Sequence, residues 1–211
     1  MIIHVTSGGR NAVAQLLKEF VGPDARVIHD ADGSPAIAGS TTHLSISHSH
    51  HFAAIALDPD VRIGIDIEEP RLEQLKRVIS KFLAPEELPL WENKLLCAWT
   101  AKEATFKAAG VSNLAIGQIR LTDSDVARVP DGRTFLIDFT ETPDYTLATS
   151  VPLSALSLYN RGKSRMKSGR NGEALSDFNR SAALDPQGPG AAAAKHLTDI
   201  FNFFNPDIYN P

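Results

Sequence analysis

The sequence predicts an α+β domain over residues 1–152 followed by a small α-helical appendage over 153–211. Three observations predict it. Apolar segments of strand length recur through the first 152 residues, some with strict alternation. Amphipathic segments at helical spacing stand between them, so that a first half (1–57) and a second half (58–152) share a strand–helix–strands plan, the first in shortened form. From Leu153 onward the apolar spacing is helical throughout.

In chain order, "MIIHV" opens as a strand. "GRNAVAQLLKEF" places Val13, Leu16, Leu17 and Phe20 on one helical stripe, started near Ser7 and stopped by Gly22-Pro23. "ARVIHD" is a strand running into the turn "DADGSP", and "HLSIS" and "FAAIAL" are two further strands. Asp58-Pro59-Asp60 turns the chain into a strand that alternates Val61, Ile63, Ile65 and Ile67 with Arg62, Gly64, Asp66 and Glu68. Beyond Pro70, Leu72, Leu75, Val78 or Ile79, and Phe82 form a helical stripe. A long helical segment runs from Pro85 to Ala109 and is closed by Gly110, with Leu95, Leu96, Trp99 and Phe106 as its packing residues. "AIGQIRLT", "RTFLIDFT" and "YTLATSV" are the last strands of the domain.

The appendage pairs two helices around Gly169-Arg170-Asn171-Gly172, with a third, "AAAAKHLTDIFNFF", after Gly188-Pro189-Gly190. Gly162, Ala174, Phe178 and Pro186 fall where a tetratricopeptide unit has a small residue, a small residue, an aromatic and a stop. Arrays need about three such units for stability, so a lone unit is expected to pack on the α+β domain or on a further protein partner.

Composition narrows the function. With 43% hydrophobic and 22% charged residues the chain is an ordinary globular protein. A net charge of −4 argues against general nucleic-acid binding. Cys97 is the sole cysteine, which excludes an intramolecular disulfide and fits a reducing compartment. No run approaches the roughly 20 apolar residues that span a bilayer, and the start lacks a signal-peptide pattern, so a cytoplasmic protein without membrane contact is expected.

The acidic face of the strand at 62–68 needs an explanation, because like charges on one face repel and lower strand propensity. Asp66 and Glu68 lie about 6.6 Å apart along such a strand and suit one hard cation between them. Gly64 on the same face leaves room for a ligand near the backbone. In "LLCAWTAKEATFKAAG", Glu103 and Lys107 are neighbours one helical turn apart, adding a third carboxylate and a point charge for a phosphate. Each feature alone has a plain reading: a surface ion pair worth about 0.3–0.5 kcal/mol, or the charged face of an edge strand. "HSHH" (48–51) lacks further ligands for zinc, and Cys97 beside Leu95 and Leu96 reads as a buried small residue. The basic run "RGKSRMKSGR" reads as a solvated helix face, with attraction of an acidic carrier protein as the alternative.

"IGIDIEE" (63–69) followed by "WTAKEATFK" (99–107) resembles the paired signature of the 4'-phosphopantetheinyl transferases, and "SISHSHHFAAIAL" (45–57) resembles their Ser-x-Ser-His segment. The motif order is similar to the surfactin-synthetase-activating type, and the resemblance covers roughly residues 1–152. It implies a pseudo-duplicated fold and Mg2+-dependent transfer of the phosphopantetheine arm of coenzyme A to a serine of an acyl, peptidyl or aryl carrier protein, releasing 3',5'-ADP. By motif position, Asp66, Glu68 and Glu103 would hold Mg2+, and Glu103 would take the serine proton. Lys107 would meet charge on the leaving phosphate, Ser47 and His48 would contact coenzyme A phosphates, and Lys102 would line the cleft. Two departures stand out. The first half is short, and Ser34 stands where the family often has a phosphate-binding lysine, a loss that Arg10, Arg26 or a partner chain would offset. The rival expectation is a catalytically weak protein that binds coenzyme A or other proteins through its helical appendage.

Overall fold

A computed structural model describes residues 1–203 of the chain, which divides after Pro152 into two compact units. Phe204, the last residue of the third predicted appendage helix, lies outside the described residues.

The first unit begins with strand β1 (Ile2–Ser7), a 3-10 turn at Gly9–Ala12 and helix α1 (Val13–Phe20). Strands β2 (Val27–His29), β3 (Pro35–Ile37), β4 (His43–His48) and β5 (Phe52–Asp58) follow. The chain continues with β6 (Gly64–Glu68) and helices α2 (Leu72–Phe82), α3 (Leu88–Trp91) and α4 (Leu95–Ala109). Strands β7 (Arg120–Asp123), β8 (Val126–Arg128), β9 (Thr134–Glu141) and β10 (Thr146–Pro152) close the unit. The first sheet has the order β1-β5-β4-β3-β2 and the second β6-β10-β9-β8-β7, so the opening strand of each half pairs with its closing strand. All these pairings are antiparallel.

Period-two alternation sends residues to two different layers. Ala54 and Ala56 of β5 meet Ile63, Ile65 and Ile67 around β6 and Leu147 of β10, with Ile3 and Val5 beside them, forming an apolar layer between the sheets. The other face of the first sheet presents Leu44, Ile55 and Leu57 to Leu16 and Leu17 of α1. The other face of the second sheet, with Phe135, Ile137 and Ala148, lies under α2 and α4. Each fully buried isoleucine of the middle layer contributes about 1.5–3 kcal/mol.

The two sheets are also stitched by side chains. Ser45 Oγ accepts from Ile65 N at 3.0 Å and Ser47 Oγ from Ile67 N at 3.2 Å. These N–H groups lie on the edge of β6 away from β10, and a buried amide left without an acceptor would cost about 1–3 kcal/mol. Two hydroxyls thus do the work of a missing neighbour strand.

Two expectations change. The predicted helix from Pro85 to Ala109 is three pieces: a 3-10 turn at Pro85–Glu87, then α3, then α4, which starts after Lys94 at φ −132. Trp91, buried at the break, ties α3 into the core. Within α4, Leu95 is buried and Leu96, Trp99 and Phe106 pack half-buried against the same core, as expected, and the rest of the buried face is largely small residues, Ala98, Ala101, Ala104, Thr105 and Ala108. Small side chains let the helix lie close on its sheet. Gly110, at φ +61, ends it in the left-handed conformation. The three-residue strands β3 and β8 were not expected; each exists through its pairing with a neighbour.

The second unit consists of α5 (Ala155–Lys167), α6 (Asn171–Leu184) and α7 (Pro189–Phe203). Ser154 caps α5 by accepting from Ser157 N at 3.0 Å. Gly162 faces buried Phe178, and a Cβ there would stand 2.6 Å from the ring, which explains why α5 has no side chain at that position. The basic run is not a uniformly solvated face. Arg161 is buried and donates to Asp177 at 2.9 Å, and Arg165 donates to the same carboxylate at 2.9 Å.

Candidate active site

Strand β6 and helix α4 bring the singled-out carboxylates together. Asp66 is buried, and its Oδ1 accepts from Ser47 Oγ and from Lys107 Nζ, both at 2.8 Å. Its Oδ2 is buried with no hydrogen-bond partner among the described residues. Lys107 reaches across from α4 and donates a second bond to Ile65 O at 2.9 Å. A buried carboxylate oxygen without a donor is costly, and it points to a ligand chemistry that would use it.

Two residues further along the strand, Glu68 Oε1 accepts from Trp99 Nε1 at 2.9 Å and from Arg71 Nη2. The Arg71 guanidinium lies over the Trp99 ring, 5.4 Å from its centroid. Burial, and then the Asp66 charge, push the Glu68 carboxyl up to about 6, against the pull of Arg71 and Trp99. Half-buried Glu103 is raised for the same first two reasons, with Lys107 and Arg71 opposing. The three carboxylates therefore feel one another's charge.

No group of three or more His, Cys, Asp or Glu side chains among the described residues is arranged to hold a metal ion. Two cations stand on the carboxylates instead: Lys107 on Asp66 and Arg71 on Glu68. The donor set nonetheless fits a hard cation, being all carboxylate oxygen, mutually repelling, with one buried oxygen free of donors.

Beside this cluster opens a cleft of about 660 Å³, within the usual range for small-molecule sites. Asp32, Ser34 and Ser45 line it from the first half, and Arg62, Phe106 and Lys107 from the second. Arg62 was not expected, although alternation already placed it on the face of Asp66 and Glu68. Its Nη1 pairs with Asp32 Oδ2 at 2.8 Å and its Nε donates to Lys107 O at 3.2 Å. Asp32 is held down to about 2, first by its hydrogen bonds from Ser34 and then by Arg62. Arg62 is thus the guanidinium on this cleft, where Arg10 and Arg26 do not reach.

Three expected ligand contacts are spent inside the protein. Lys102 does not line the cleft: it is fully buried, and its Nζ donates to Phe82 O at 2.5 Å, Glu87 Oε2 at 2.8 Å and Ile119 O at 2.6 Å. One residue along a helix turns a side chain by about 100°, so Lys102 and Glu103 face different surroundings. Gly64 does not make room for a ligand, because a Cβ there would lie 1.8 Å from Ala104 O; the space is filled by α4. Ser47 gives its hydroxyl to Asp66 and to Ile67 N. His48 is exposed at the end of β4, next to the turn where His51 pairs with Glu69 at 2.5 Å. Cys97 is buried, its thiol pushed up to about 12 chiefly by burial, which fits the packing role expected of it.

No helix among the described residues is long and apolar enough to cross a membrane. No curated protein matches the chain. The family model of the 4'-phosphopantetheinyl transferase superfamily matches residues 62–155, a span that runs from Arg62 through Asp66, Glu68, Glu103 and Lys107 to the first residue of α5, and this similarity points to phosphopantetheine transfer in general.

Proposed function

We propose that the protein transfers the 4'-phosphopantetheine arm of coenzyme A to a serine of a carrier protein, with Mg2+, and that 3',5'-ADP leaves. The observation that carries this reading is the meeting of Asp66 and Lys107 at 2.8 Å beside a cleft of about 660 Å³ that Lys107 and Arg62 both line. The family similarity over residues 62–155 supports it.

Asp66, Glu68 and Glu103 are the residues that would hold the metal. When bound, the ion supplies charge neutralisation at the pyrophosphate. Glu103, made more basic by burial and by the Asp66 charge, accepts the proton of the attacking serine. The serine oxygen forms the new bond to the phosphorus carrying pantetheine, and the bond from that phosphorus to the oxygen of the nucleotide phosphate breaks. Lys107, held by Ile65 O and Asp66, meets the charge on the departing phosphate. Arg62 takes the nucleotide end in the cleft, the task expected of a lysine at Ser34. Most of the effect is positioning and charge, as in phosphoryl transfer generally.

The test is to incubate the full chain with coenzyme A, Mg2+ and apo acyl, peptidyl and aryl carriers, and to weigh each carrier. A gain of one phosphopantetheine on any of them is expected. Binding of coenzyme A with no gain on any carrier favours the rival, a coenzyme A-binding or interaction protein.

A further inference from the structure

We infer that Arg71 is a resident counter-cation: it occupies Glu68 in the metal-free protein, must yield when a divalent ion enters, and so sets how tightly the site takes metal. This rests on the reading of Asp66, Glu68 and Glu103 as metal ligands.

Three cations approach the carboxylates and their helix, and they are held very differently. Lys102 is fully buried with three acceptors and cannot leave. Lys107 makes two hydrogen bonds, one to the backbone of β6, and is fixed in register with the strand. Arg71 stands just before α2, its side chain 35% exposed, and among the described residues its ion pair is with Glu68 alone. Its Nε is buried without a hydrogen-bond partner among the described residues, so the guanidinium is incompletely satisfied where it rests. Arg71 also lies over Trp99, whose indole N–H holds the same Glu68 oxygen.

The placement has an electrostatic logic. Three carboxylates near one another need positive charge, and Arg71, paired with Glu68 and lying over Trp99, supplies it at Glu68. A divalent ion would do the same for all three, so ion and guanidinium compete for Glu68 and repel each other. Because its side chain is partly exposed, Arg71 has solvent to move into, whereas Glu68 at 18% does not. Trp99 would hold Glu68 in place while Arg71 leaves.

The test is binding of Mn2+ to the full chain, followed by the electron paramagnetic resonance of free ion, for wild type, Arg71→Ala, Arg71→Lys and Glu68→Gln, each checked for its fold by circular dichroism. Arg71→Ala is expected to bind about tenfold tighter than wild type, with Arg71→Lys between them and Glu68→Gln weaker than wild type. Equal or weaker binding by folded Arg71→Ala, where Glu68→Gln still lowers affinity, overturns the inference and leaves the metal site standing. Absence of Mn2+ binding in wild type and Arg71→Ala alike removes the metal site itself, and this inference with it.

Discussion

The two sheets of the first unit share a strand order and differ in what they bury. From β1 to the end of β5 the chain buries Ser45, Ser47 and Asp58 as its polar residues, and the single α-helix there, α1, is eight residues long. The second half, from β6 to β10, buries the charged Asp66, Glu87 and Lys102 beside Thr100, Thr105, Thr146, Thr149 and Ser150, and it carries the fifteen-residue α4 with Glu103 and Lys107. The first half thus serves as a platform and the second carries the candidate site. The platform still contributes. Ser45 and Ser47 close the edge of β6, and Asp32 and Ser34 form one wall of the cleft. The family similarity, over residues 62–155, covers β6 to β10.

Substitutions can break or sharpen that contrast. The largest stability effect belongs to the second half's buried ion pair. Lys102→Met leaves the Glu87 carboxylate, which also accepts from Ala84 N and Leu121 N, buried without its cation. A loss of about 3–5 kcal/mol in chemical denaturation is expected. A loss under about 1 kcal/mol would mean that Glu87 is neutral or rehydrated, and the pair would not anchor α4. Next comes the contact between strand and helix. Gly64→Ala pushes a Cβ into Ala104 O and should cost about 3 kcal/mol by shifting α4. Gly39→Ala in the first half, with φ +75 and open space around it, should cost about 1–2 kcal/mol through backbone conformation alone. Equal costs would erase the difference in packing between the halves.

Smaller effects test the seam and the charges. Ser47→Ala removes the acceptor of Ile67 N and one donor to Asp66, and a loss of about 2 kcal/mol is expected. The smallest effect is a pH dependence. The Glu68 carboxyl lies at about 6 in the folded protein against an ordinary 4.5, so the folded chain binds the proton more tightly than the unfolded one. Its burial then costs about 1–2 kcal/mol above pH 6, and that cost fades as pH falls toward 4.5. Glu103 acts in the same direction, whereas Asp32 and Glu69, both near 2, stay ionised across this window. The melting temperature of metal-free protein should therefore rise from pH 7 to pH 5, and Glu68→Gln should flatten the rise. An unchanged slope in that variant would move the strain elsewhere.

Much of this was legible in the sequence because burial leaves a periodic trace. The alternation at 61–68 placed the strand, and it set Arg62, Asp66 and Glu68 on one face. The spacing of Glu103 and Lys107 put both toward one side of a helix. What pattern does not carry is which partner a side chain finds. Lys102 and Gly64 sit inside motifs that read as ligand-binding, but their neighbours come from Phe82, Glu87, Ile119 and Ala104, and only folding assembles these. The packing of Leu95, Leu96, Trp99 and Phe106 was legible, whereas the alanines of α4, which permit the close approach to β6, carry no such signal. Strands β3 and β8 are three residues long, too short for periodicity to register.

The most direct test of the central claim is the rate at which an apo carrier gains mass from coenzyme A and Mg2+, wild type against Glu103→Gln, under single-turnover conditions. The account predicts that wild type adds one phosphopantetheine and that the variant, still folded and still binding coenzyme A, is slower by about 10²–10⁴-fold. Transfer by the variant at the wild-type rate, or none by wild type with any carrier, would contradict it.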